Sequence, residues 1–232
     1  MHVLVTRPER EAARTAERLQ ALGHEALIDS LLKIEPLAFH PFPAAFDAVA
    51  ITSANAIHAV SKENLVRYAS LPLFAVGAQS AEAAREAGFK HVFAATGDAH
   101  ALMQLIAGKL PAASRILYLA GTERAQDLAA LLSRAKIQVE TCVVYRAAAA
   151  KQLGTDTLMR IRAGKIDAAT HYSLRSAETF LALVHAAKLA GAAAGIRHLC
   201  LSQQVAAPLL AAGFNVEIAA RPNEDALFAL LG

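Results

Sequence analysis

Residues 46–53, FDAVAITS, decide how this chain folds, because a matching stretch, IDAATHYS, returns 120 positions later at residues 166–173. In both copies a large apolar residue and an aspartate precede a short strand-like run, and a serine follows it. A serine placed after a strand is well suited to cap the N-terminus of a helix. The stretch therefore predicts two copies of one strand–turn–helix unit.

The repeat extends into later parts of each copy. Residues 87–89, AGF, match residues 212–214 at an offset of 125 positions. Apolar positions at helical spacing, such as those from Ala12 to Leu22, alternate along the chain with short β-branched or apolar runs. Alternation of this kind predicts an α/β fold with parallel sheets and crossover helices.

Two segments are interpreted as connectors between the copies. Pro36, Pro41 and Pro43 bracket the first, and the second covers residues 146–154 after an apolar strand. Prolines favour extended chain in such segments. Two connectors indicate that the chain crosses from one lobe to the other and then returns.

This crossing predicts a discontinuous division of the chain. Residues 1–36 and 150–232 would form the first lobe, and residues 37–149, with the connector strands, would form the second. A single cut near Pro111, between the copies, remains open on the sequence alone.

The charge and composition of the chain indicate which kinds of molecule it can bind. The net charge is +3, the isoelectric point is about 9.0 and tryptophan is absent. The basic residues are scattered, whereas nucleic-acid binding requires a dense basic face with stacking aromatic residues. A mild positive bias suits an anionic small molecule better, so we expect no nucleic-acid partner.

The sequence also carries expectations about location. It has no apolar run of about 18 residues, the length that a membrane span requires, and its start does not resemble a signal peptide. Cys142 and Cys200 lie far apart without the spacing of metal ligands, which favours buried thiols in a reducing compartment. We therefore expect a cytoplasmic protein that has no membrane contact. The sequence gives no indication of the oligomeric state, and a monomer is the default expectation.

The turns after the predicted strands are the candidate ligand sites, because parallel sheets bind ligands at the carboxyl ends of their strands. Helix N-termini there offer free N–H groups and the positive end of the helix dipole, which favour carboxylate or phosphate. The hydroxyl groups in these turns can equally be helix caps, and both interpretations stay open. The turns are Thr6-Arg7, Thr52-Ser53, Gly77–Ser80, Gly121-Thr122, Tyr172-Ser173 and Ser202–Gln204, and the expected caps are Ser53, Ser80, Thr122 and Ser173.

Several other chemistries lack their signatures. The chain has neither a phosphate-binding loop nor a glycine-rich dinucleotide fingerprint nor a nucleophile elbow. No two histidines have the spacing of a metal pair, and His58, His91 and His198 are interpreted as surface or strand-edge residues. Asp47 and Asp167 precede strands, at the edge opposite the expected ligand, so we interpret them as structural.

Six short motifs follow one another in the order and spacing of one known family. They are Val5–Pro8, Asp47–Ala56, Ala75–Gly77 with Ser80-Ala81, Leu117–Gly121 with Arg124, Val143–Arg146, and Tyr172–Ala177. Over nearly its whole length, the chain therefore resembles the uroporphyrinogen-III synthase family.

The resemblance implies a fold and a reaction. The fold would be two flavodoxin-like lobes with parallel sheets, joined by a two-stranded connector, with the active site in the cleft between the lobes. The reaction would close the linear tetrapyrrole hydroxymethylbilane into uroporphyrinogen III, with inversion of the last pyrrole ring and loss of water. The enzyme would be a lyase of haem biosynthesis that acts on a polycarboxylate substrate without cofactor or metal.

The resemblance also implies site residues. Tyr145 matches the family tyrosine at the end of a connector strand, where its hydroxyl would help the substrate hydroxyl leave as water. Substrate-binding candidates come from the matched turns, where main-chain amides are expected to provide most of the binding. These candidates are Thr52, Ser53, Gly77, Ser80, Ser173 and Ser176, with Arg7 and Arg175 as added charge.

Two other classes of protein share parts of this pattern. A two-lobed binding or sensor protein for an anionic small molecule would have the same turns without catalysis. A flavin- or nucleotide-binding enzyme would have the same sheets, but it would require the phosphate-loop signatures that this sequence lacks.

Overall fold

The computed structural model describes residues 1–43, 45–123 and 127–232. The chain divides into two compact units. Unit 1 comprises Met1–Lys33 and Ala148–Gly232, and unit 2 comprises Ile34–Ala147. The lobe boundaries expected from the sequence, 1–36 with 150–232 and 37–149, stay a prediction. Arg124, which belongs to one of the quoted motifs, lies outside the described residues.

Strands and helices alternate through the described residues. The strands are β1 (His2–Val5), β2 (Glu25–Ile28), β3 (Leu32–Pro36), β4 (Ala48–Ile51), β5 (Leu73–Val76), β6 (Val92–Ala95), β7 (Arg115–Gly121), β8 (Gln138–Ala149), β9 (Ala168–His171), β10 (Arg197–Cys200) and β11 (Val216–Ile218). The α-helices are α1 (Glu9–Ala21), α2 (Ala54–His58), α3 (Lys62–Leu65), α4 (Gly77–Glu86), α5 (Ala99–Lys109), α6 (Leu128–Ser133), α7 (Thr155–Arg162), α8 (Leu174–Ala186), α9 (Ala190–Ala194), α10 (Gln203–Ala211) and α11 (Glu224–Phe228). Short 3₁₀ turns follow α3 and α11, at Val66–Tyr68 and Ala229–Leu231.

The two sheets share one strand order. In unit 1 the order is β11-β10-β9-β1-β2, and every pairing is parallel. In the second sheet the order is β6-β5-β4-β7-β8-β3, and the pairings from β6 to β8 are parallel. The repeated stretches correspond to β4 and β9, which occupy the central position of equivalent five-strand arrays. The prediction of an α/β fold with two parallel sheets is therefore confirmed.

Strands β3 and β8 lie side by side at the edge of the second sheet. The N–H of Leu37 donates to the carbonyl of Val144 at 2.8 Å, and the N–H of Ala150 donates to Leu31 at 2.9 Å. Residue numbers rise along one strand as they fall along the other, so this pair is antiparallel. The chain passes from one unit to the other within these two strands.

Helices cover both faces of each sheet, which explains why β4, the central strand of the second sheet, is apolar throughout. In β4, Val49 and Ile51 pack with the residues of α2 and α4, whereas Ala48 and Ala50 pack with those of α5 and α6. All four side chains are fully buried. Strands buried on both faces are typical of parallel sheets and show no polar alternation.

Asp47 and Asp167 have the same structural role in the two copies. The Asp47 carboxylate accepts a hydrogen bond from the N–H of Arg115 at 2.8 Å, and Asp167 accepts one from the N–H of His2 at 2.6 Å. Each aspartate therefore joins the amino ends of two neighbouring strands. The structural interpretation of both aspartates is confirmed.

Two of the four expected helix caps are confirmed. Ser53 accepts a hydrogen bond from the N–H of Asn55 at the start of α2, and Ser173 accepts one from Ser176 at the start of α8. The cap at Ser80 is wrong, because α4 begins directly after β5 at Gly77, whose φ of +76° is accessible to glycine. Ser80 consequently lies inside the first turn of that helix.

The expected cap at Thr122 is also wrong. Thr122 bonds to β8 instead, and the carboxylate of Asp127 caps α6 through the N–H groups of Ala129 and Ala130. A hydroxyl caps a helix only when the chain turns into the helix directly after it, and here the turn is longer.

No helix among the described residues has both the length and the apolar character that a membrane crossing requires. Cys142 and Cys200 are free thiols, and burial raises the pKa of Cys200 to about 12.

Candidate active site

Most of the candidate residues lie at the carboxyl edge of their own sheet, because parallel strands all end at the same edge. In unit 2, Thr52 and Ser53 follow β4, Gly77 opens α4 after β5, and Tyr145 lies opposite the last residue of β7. In unit 1, the candidates follow β1 and β9: Arg7, Ser173, Arg175 and Ser176. Within each unit, the fold therefore brings the candidates to one edge.

Tyr145 is half-buried on the face of the sheet that also carries α2 and α4. Its carbonyl accepts hydrogen bonds from the N–H of Thr122 at 2.9 Å and from the Thr122 hydroxyl at 3.3 Å. Its ring lies against the backbone of Gly121. The tyrosine is thus held by the turn that ends β7.

Thr52 and Ser53 are both engaged in local hydrogen bonds. The Thr52 hydroxyl lies 3.0 Å from the hydroxyl of Tyr118, which is buried in β7. Ser53 Oγ accepts from the N–H of Asn55 at 3.2 Å. Sequence reasoning missed the role of Tyr118, although a tyrosine within an aliphatic strand indicates a buried hydroxyl that requires a partner.

The N-terminus of α4 has no side-chain cap within the described part of the chain, as is also the case for α1. By contrast, α2, α8 and α10 each have a serine cap. Ser80 is 5% exposed and lies in the first turn of α4. The first N–H groups of α4 are therefore available to an acidic ligand.

Ser173 and Ser176 form the cap of α8. Ser173 is exposed and accepts from the N–H of Ser176 at 3.1 Å. Ser176 is 3% exposed, and its hydroxyl lies 2.9 Å from that of Thr6. The Ser176 side chain thus joins the turn after β1 to the turn after β9. Arg175 is half-buried in the first turn of α8.

Arg7 lies in a polar cluster around Glu224. Its guanidinium donates to Glu224 at 3.1 Å and stacks 4.1 Å above the ring of Tyr172. The hydroxyls of Tyr172 and Thr15 each donate to Glu224 at 2.7 Å, and Arg18 adds an ion pair. This cluster ties α11 to the turn after β1.

The cluster shifts the pKa values of its members. Burial alone would raise the pKa of Glu224, but hydrogen bonds from Tyr172, Thr15 and Arg18 outweigh it and lower the pKa below its ordinary value. Burial raises the pKa of Tyr172 well above the ordinary value, and the hydrogen bond to Glu224 adds to that rise. Tyr172 is therefore a neutral hydrogen-bond donor, and Glu224 is a carboxylate.

The surface interpretation of His198 is wrong, because β10 lies inside the sheet, between β11 and β9, and is covered on both faces. His198 and His171 are both fully buried, with 3.0 Å between His171 Nε2 and His198 Nδ1. His198 Nε2 donates to the carbonyl of Ala193 at 2.8 Å, so its Nδ1 accepts from His171. Phe180 and Phe214 flank the pair.

Burial lowers the pKa of His198 to about 4, and burial lowers that of His171 well below its ordinary value, with a further contribution from His198. Both rings are therefore neutral at physiological pH. Among residues 1–43, 45–123 and 127–232, no group of three histidine, cysteine or acidic side chains could hold a metal ion.

The sequence model of the family described as "Uroporphyrinogen-III synthase HemD" matches residues 13–229. Solved structures with a similar fold include two uroporphyrinogen-III synthases. One is uroporphyrinogen-III synthetase from Helicobacter pylori, with 19% identity, a TM-score of 0.68, and coverage of 99% of this chain and 97% of the other. The second is a mutant uroporphyrinogen III synthase from the extremely thermophilic bacterium Thermus thermophilus, with 16% identity, a TM-score of 0.53, and coverage of 100% and 96%.

At identities of 19% and 16%, the solved structures show the similarity of fold. Membership of the family rests on the match to the family's sequence model. The search of curated proteins found no match. The family match confirms the resemblance found in the sequence, and with it the prediction of a cyclising lyase of tetrapyrrole synthesis. The family implies a linear tetrapyrrole substrate. With nearly its whole length matched and the fold in agreement, this chain belongs to the uroporphyrinogen-III synthase family.

Proposed function

We propose that this chain closes hydroxymethylbilane into uroporphyrinogen III, with inversion of the last pyrrole ring and loss of water. The observation that carries the proposal is the family match over residues 13–229. The tyrosine and the turns at the carboxyl edges of the sheets give this reaction its candidate groups.

The turns bind the carboxylates of the substrate mainly through backbone N–H groups. The strongest support comes from α4, whose N-terminus has no side-chain cap among the described residues and begins at Gly77. Ser80 lies in the same turn. Thr52 and Ser53 are the corresponding candidates at the end of β4, where Tyr118 orients the Thr52 hydroxyl.

In unit 1, the turn after β9 is the equivalent binding element. Ser173 and Ser176 shape the start of α8, so their main contribution is to present its backbone to a carboxylate. Arg175 adds positive charge from the first turn of that helix. Arg7, in the turn after β1, adds a second positive charge, although its ion pair with Glu224 offsets part of that charge.

Tyr145 is the proposed catalytic residue. Its hydroxyl donates a proton, or a hydrogen bond, to the departing hydroxyl of the substrate, which leaves as water. The azafulvene cation that remains is attacked by the far pyrrole at its substituted carbon. The spirocycle formed then fragments and recloses with that ring turned round, and the proton released at the end balances the one donated.

Positioning accounts for the isomer that forms. Hydroxymethylbilane also cyclises unaided, to the isomer without inversion, so the protein must hold the chain folded with its last ring turned. Orientation of this kind lowers a barrier by fixing reacting atoms in advance. Within each unit, the turns are anchored to the strands of a parallel sheet, which fixes the groups that they present.

The direct test supplies the purified protein with freshly made hydroxymethylbilane and separates the cyclic isomers by chromatography. We expect substrate to disappear faster than in buffer, with uroporphyrinogen III as the main product. Heat-denatured protein is the control for the unaided reaction. Faster substrate loss that yields only the uninverted isomer would refute the proposal, and tight binding without faster turnover would favour a binding protein.

A further inference from the structure

The ring of Tyr145 occupies the place where any other residue at position 121 would have its side chain. A methyl group built on Gly121 would lie 2.6 Å from Cζ of Tyr145, 2.8 Å from Cε2 and 2.9 Å from the hydroxyl oxygen. Non-bonded carbon atoms approach to roughly 3.5–4.0 Å at their optimum. The ring can therefore lie in this position only because Gly121 has no Cβ.

Backbone conformation gives no separate reason for a glycine at this position. Gly121 is absent from the glycines with positive φ, a group that includes Gly77 and Gly88. Its φ and ψ are thus open to other residues. The demand for glycine at position 121 comes from the space that the tyrosine ring fills.

A β-bulge brings the ring to this face of the sheet. Ala120 pairs with Val143, but Gly121 pairs with Tyr145, so Val144 is an extra residue on β8. Successive strand residues normally point to opposite faces. Here Val144 and Tyr145 both pack with the apolar residues of α2 and α4, because the bulge turns the second side chain over.

The backbone of Tyr145 is held by the same turn. Both the N–H and the hydroxyl of Thr122 donate to the Tyr145 carbonyl. Residues 121 and 122 therefore fix the tyrosine from two sides, the ring through contact and the carbonyl through hydrogen bonds. A shift at residue 121 must move the phenol relative to the edge of the sheet.

We infer that Gly121 is a positioning residue for the reaction, acting through the phenol of Tyr145 and not on the substrate itself. The inference rests on the proposed function, since it assigns Gly121 to the residue proposed to assist the departure of water. Position 121 must stay without a side chain for the Tyr145 hydroxyl to lie where the reaction requires it.

The first test is Gly121→Ala. Because the added methyl displaces the ring, we expect kcat to fall by roughly tenfold to a hundredfold, the range that a misplacement of about 1 Å produces. KM should change less than twofold or so, because carboxylate binding relies on other turns. A kcat equal to that of the parent would overturn the inference.

Gly108→Ala is the matched control. Gly108 lies in α5 of the same unit and is exposed, and a methyl group added to it would meet no atom within 4 Å outside its own helical turn. The same chemical change is therefore accommodated there, so both kcat and the midpoint of thermal unfolding should stay at parent values or rise slightly.

A double-mutant cycle separates positioning from general damage. In a Tyr145→Phe background the hydroxyl is already gone, so Gly121→Ala should cost less than about threefold further in kcat. An equal loss in both backgrounds would mean that Gly121 does not act through the hydroxyl, and would overturn the inference.

A spectroscopic readout makes the test independent of activity. The chain has four tyrosines, so protein labelled with 3-fluorotyrosine should give four ¹⁹F resonances, and Tyr145→Phe identifies the one of Tyr145. Gly121→Ala should shift that resonance, and Gly108→Ala should not. An unmoved resonance overturns the inference, whereas a parent protein that makes no uroporphyrinogen III contradicts the proposed function instead.

If Gly121→Ala does not fold, a second variant decides the question. Gly121→Ala combined with Tyr145→Ala removes the ring that the methyl would meet. Circular dichroism and thermal unfolding should then show the fold restored. A double variant that stays unfolded would overturn the inference, because the obstacle would lie elsewhere.

Discussion

Tyr145 shows how a single residue can be recognised in the sequence and yet be positioned only by contacts that the sequence does not reveal. Its place at the end of an apolar run indicated a strand end. The bulge arises where β8 pairs with β7, and the ring contact and the bonds to the carbonyl come from Gly121 and Thr122, more than twenty positions earlier in the chain. Residue identity thus suggested the role, and the neighbouring strand supplies the geometry.

Replacing Tyr145 with phenylalanine removes the hydroxyl and leaves the ring contact with Gly121. We expect Tyr145→Phe to lower kcat severalfold or more, because the departing hydroxyl loses its proton donor. The midpoint of thermal unfolding should change little. Steady-state kinetics with isomer analysis would check both the rate and the product.

Tyr68→Phe is the matched control for that change. The Tyr68 hydroxyl accepts a hydrogen bond from the N–H of Phe42 at 3.3 Å, and its ring packs near Phe46, which precedes β4 at the opposite edge of the sheet. Its kcat should equal that of the parent. Parent kinetics for Tyr145→Phe would remove Tyr145 from the mechanism.

At the scale of elements, the two edges of each sheet have different roles. The carboxyl edges carry the candidate ligand groups, whereas the amino edges carry the aspartates that pair neighbouring strands. The strand-to-helix turns at the carboxyl edges also differ among themselves, since α2 and α8 have serine caps and α4 begins at a glycine. Substitutions at the amino edges therefore test stability, and substitutions at the carboxyl edges test function.

The aspartate before β4 provides such a test. Asp47→Ala removes the acceptor of the Arg115 N–H, so we expect the free energy of unfolding to fall by about 1 kcal/mol, the net value of a typical hydrogen bond. The value should stay near this size because the Asp47 side chain is exposed. Urea unfolding measures it.

The steady-state kinetics of Asp47→Ala test whether the amino edge of the sheet contributes to activity. Asp47 lies at the amino edge, far along β4 from Ser53, so kcat and KM should stay at parent values. A large loss of activity in a folded Asp47→Ala protein would contradict the division of roles between the two edges.

At the scale of the whole molecule, the two sheets have the same strand order, but the chain visits the equivalent strands in a different sequence. In unit 1 both chain ends contribute to one sheet, with β1 paired between β2 and β9. In unit 2 the equivalent position belongs to β7, which lies between β8 and β4. The first strand, β1, thus completes a sheet in which β2 follows it directly in the sequence. The other three strands, β9, β10 and β11, follow 160 or more positions later.

The buried histidine pair makes the stability of the protein depend on pH. Both pKa values are lowered by burial, that of His198 to about 4, so the folded state keeps neutral rings. In the unfolded chain each ring gains a proton below a pKa of about 6.5. The stabilisation is therefore complete above that pH and is lost as the pH falls toward 4.

Each histidine of this kind contributes a slope of up to about 1.4 kcal/mol per pH unit. We expect the free energy of unfolding in urea to fall steeply between pH 6.5 and 4.5. His171→Gln should fall less steeply over that interval, because one titrating ring is gone. Identical slopes for the variant and the parent would contradict this account.

The sequence by itself determined the repeated α/β unit, the parallel sheets and the caps at Ser53 and Ser173, because all of these follow from local patterns. A strand, a turn and a cap involve residues a few positions apart, so spacing and residue type are enough to indicate them. The order of six weak motifs was enough to indicate the family.

Only the tertiary structure decided the packing of the Tyr145 ring against Gly121, the burial of His198 and the ion pair between Arg7 and Glu224. Each of these arrangements joins residues that are distant in the sequence. They depend on which strands lie inside the sheet and on where the pairing of two strands shifts by one residue. Those outcomes come from the packing of the whole sheet, which no local pattern records.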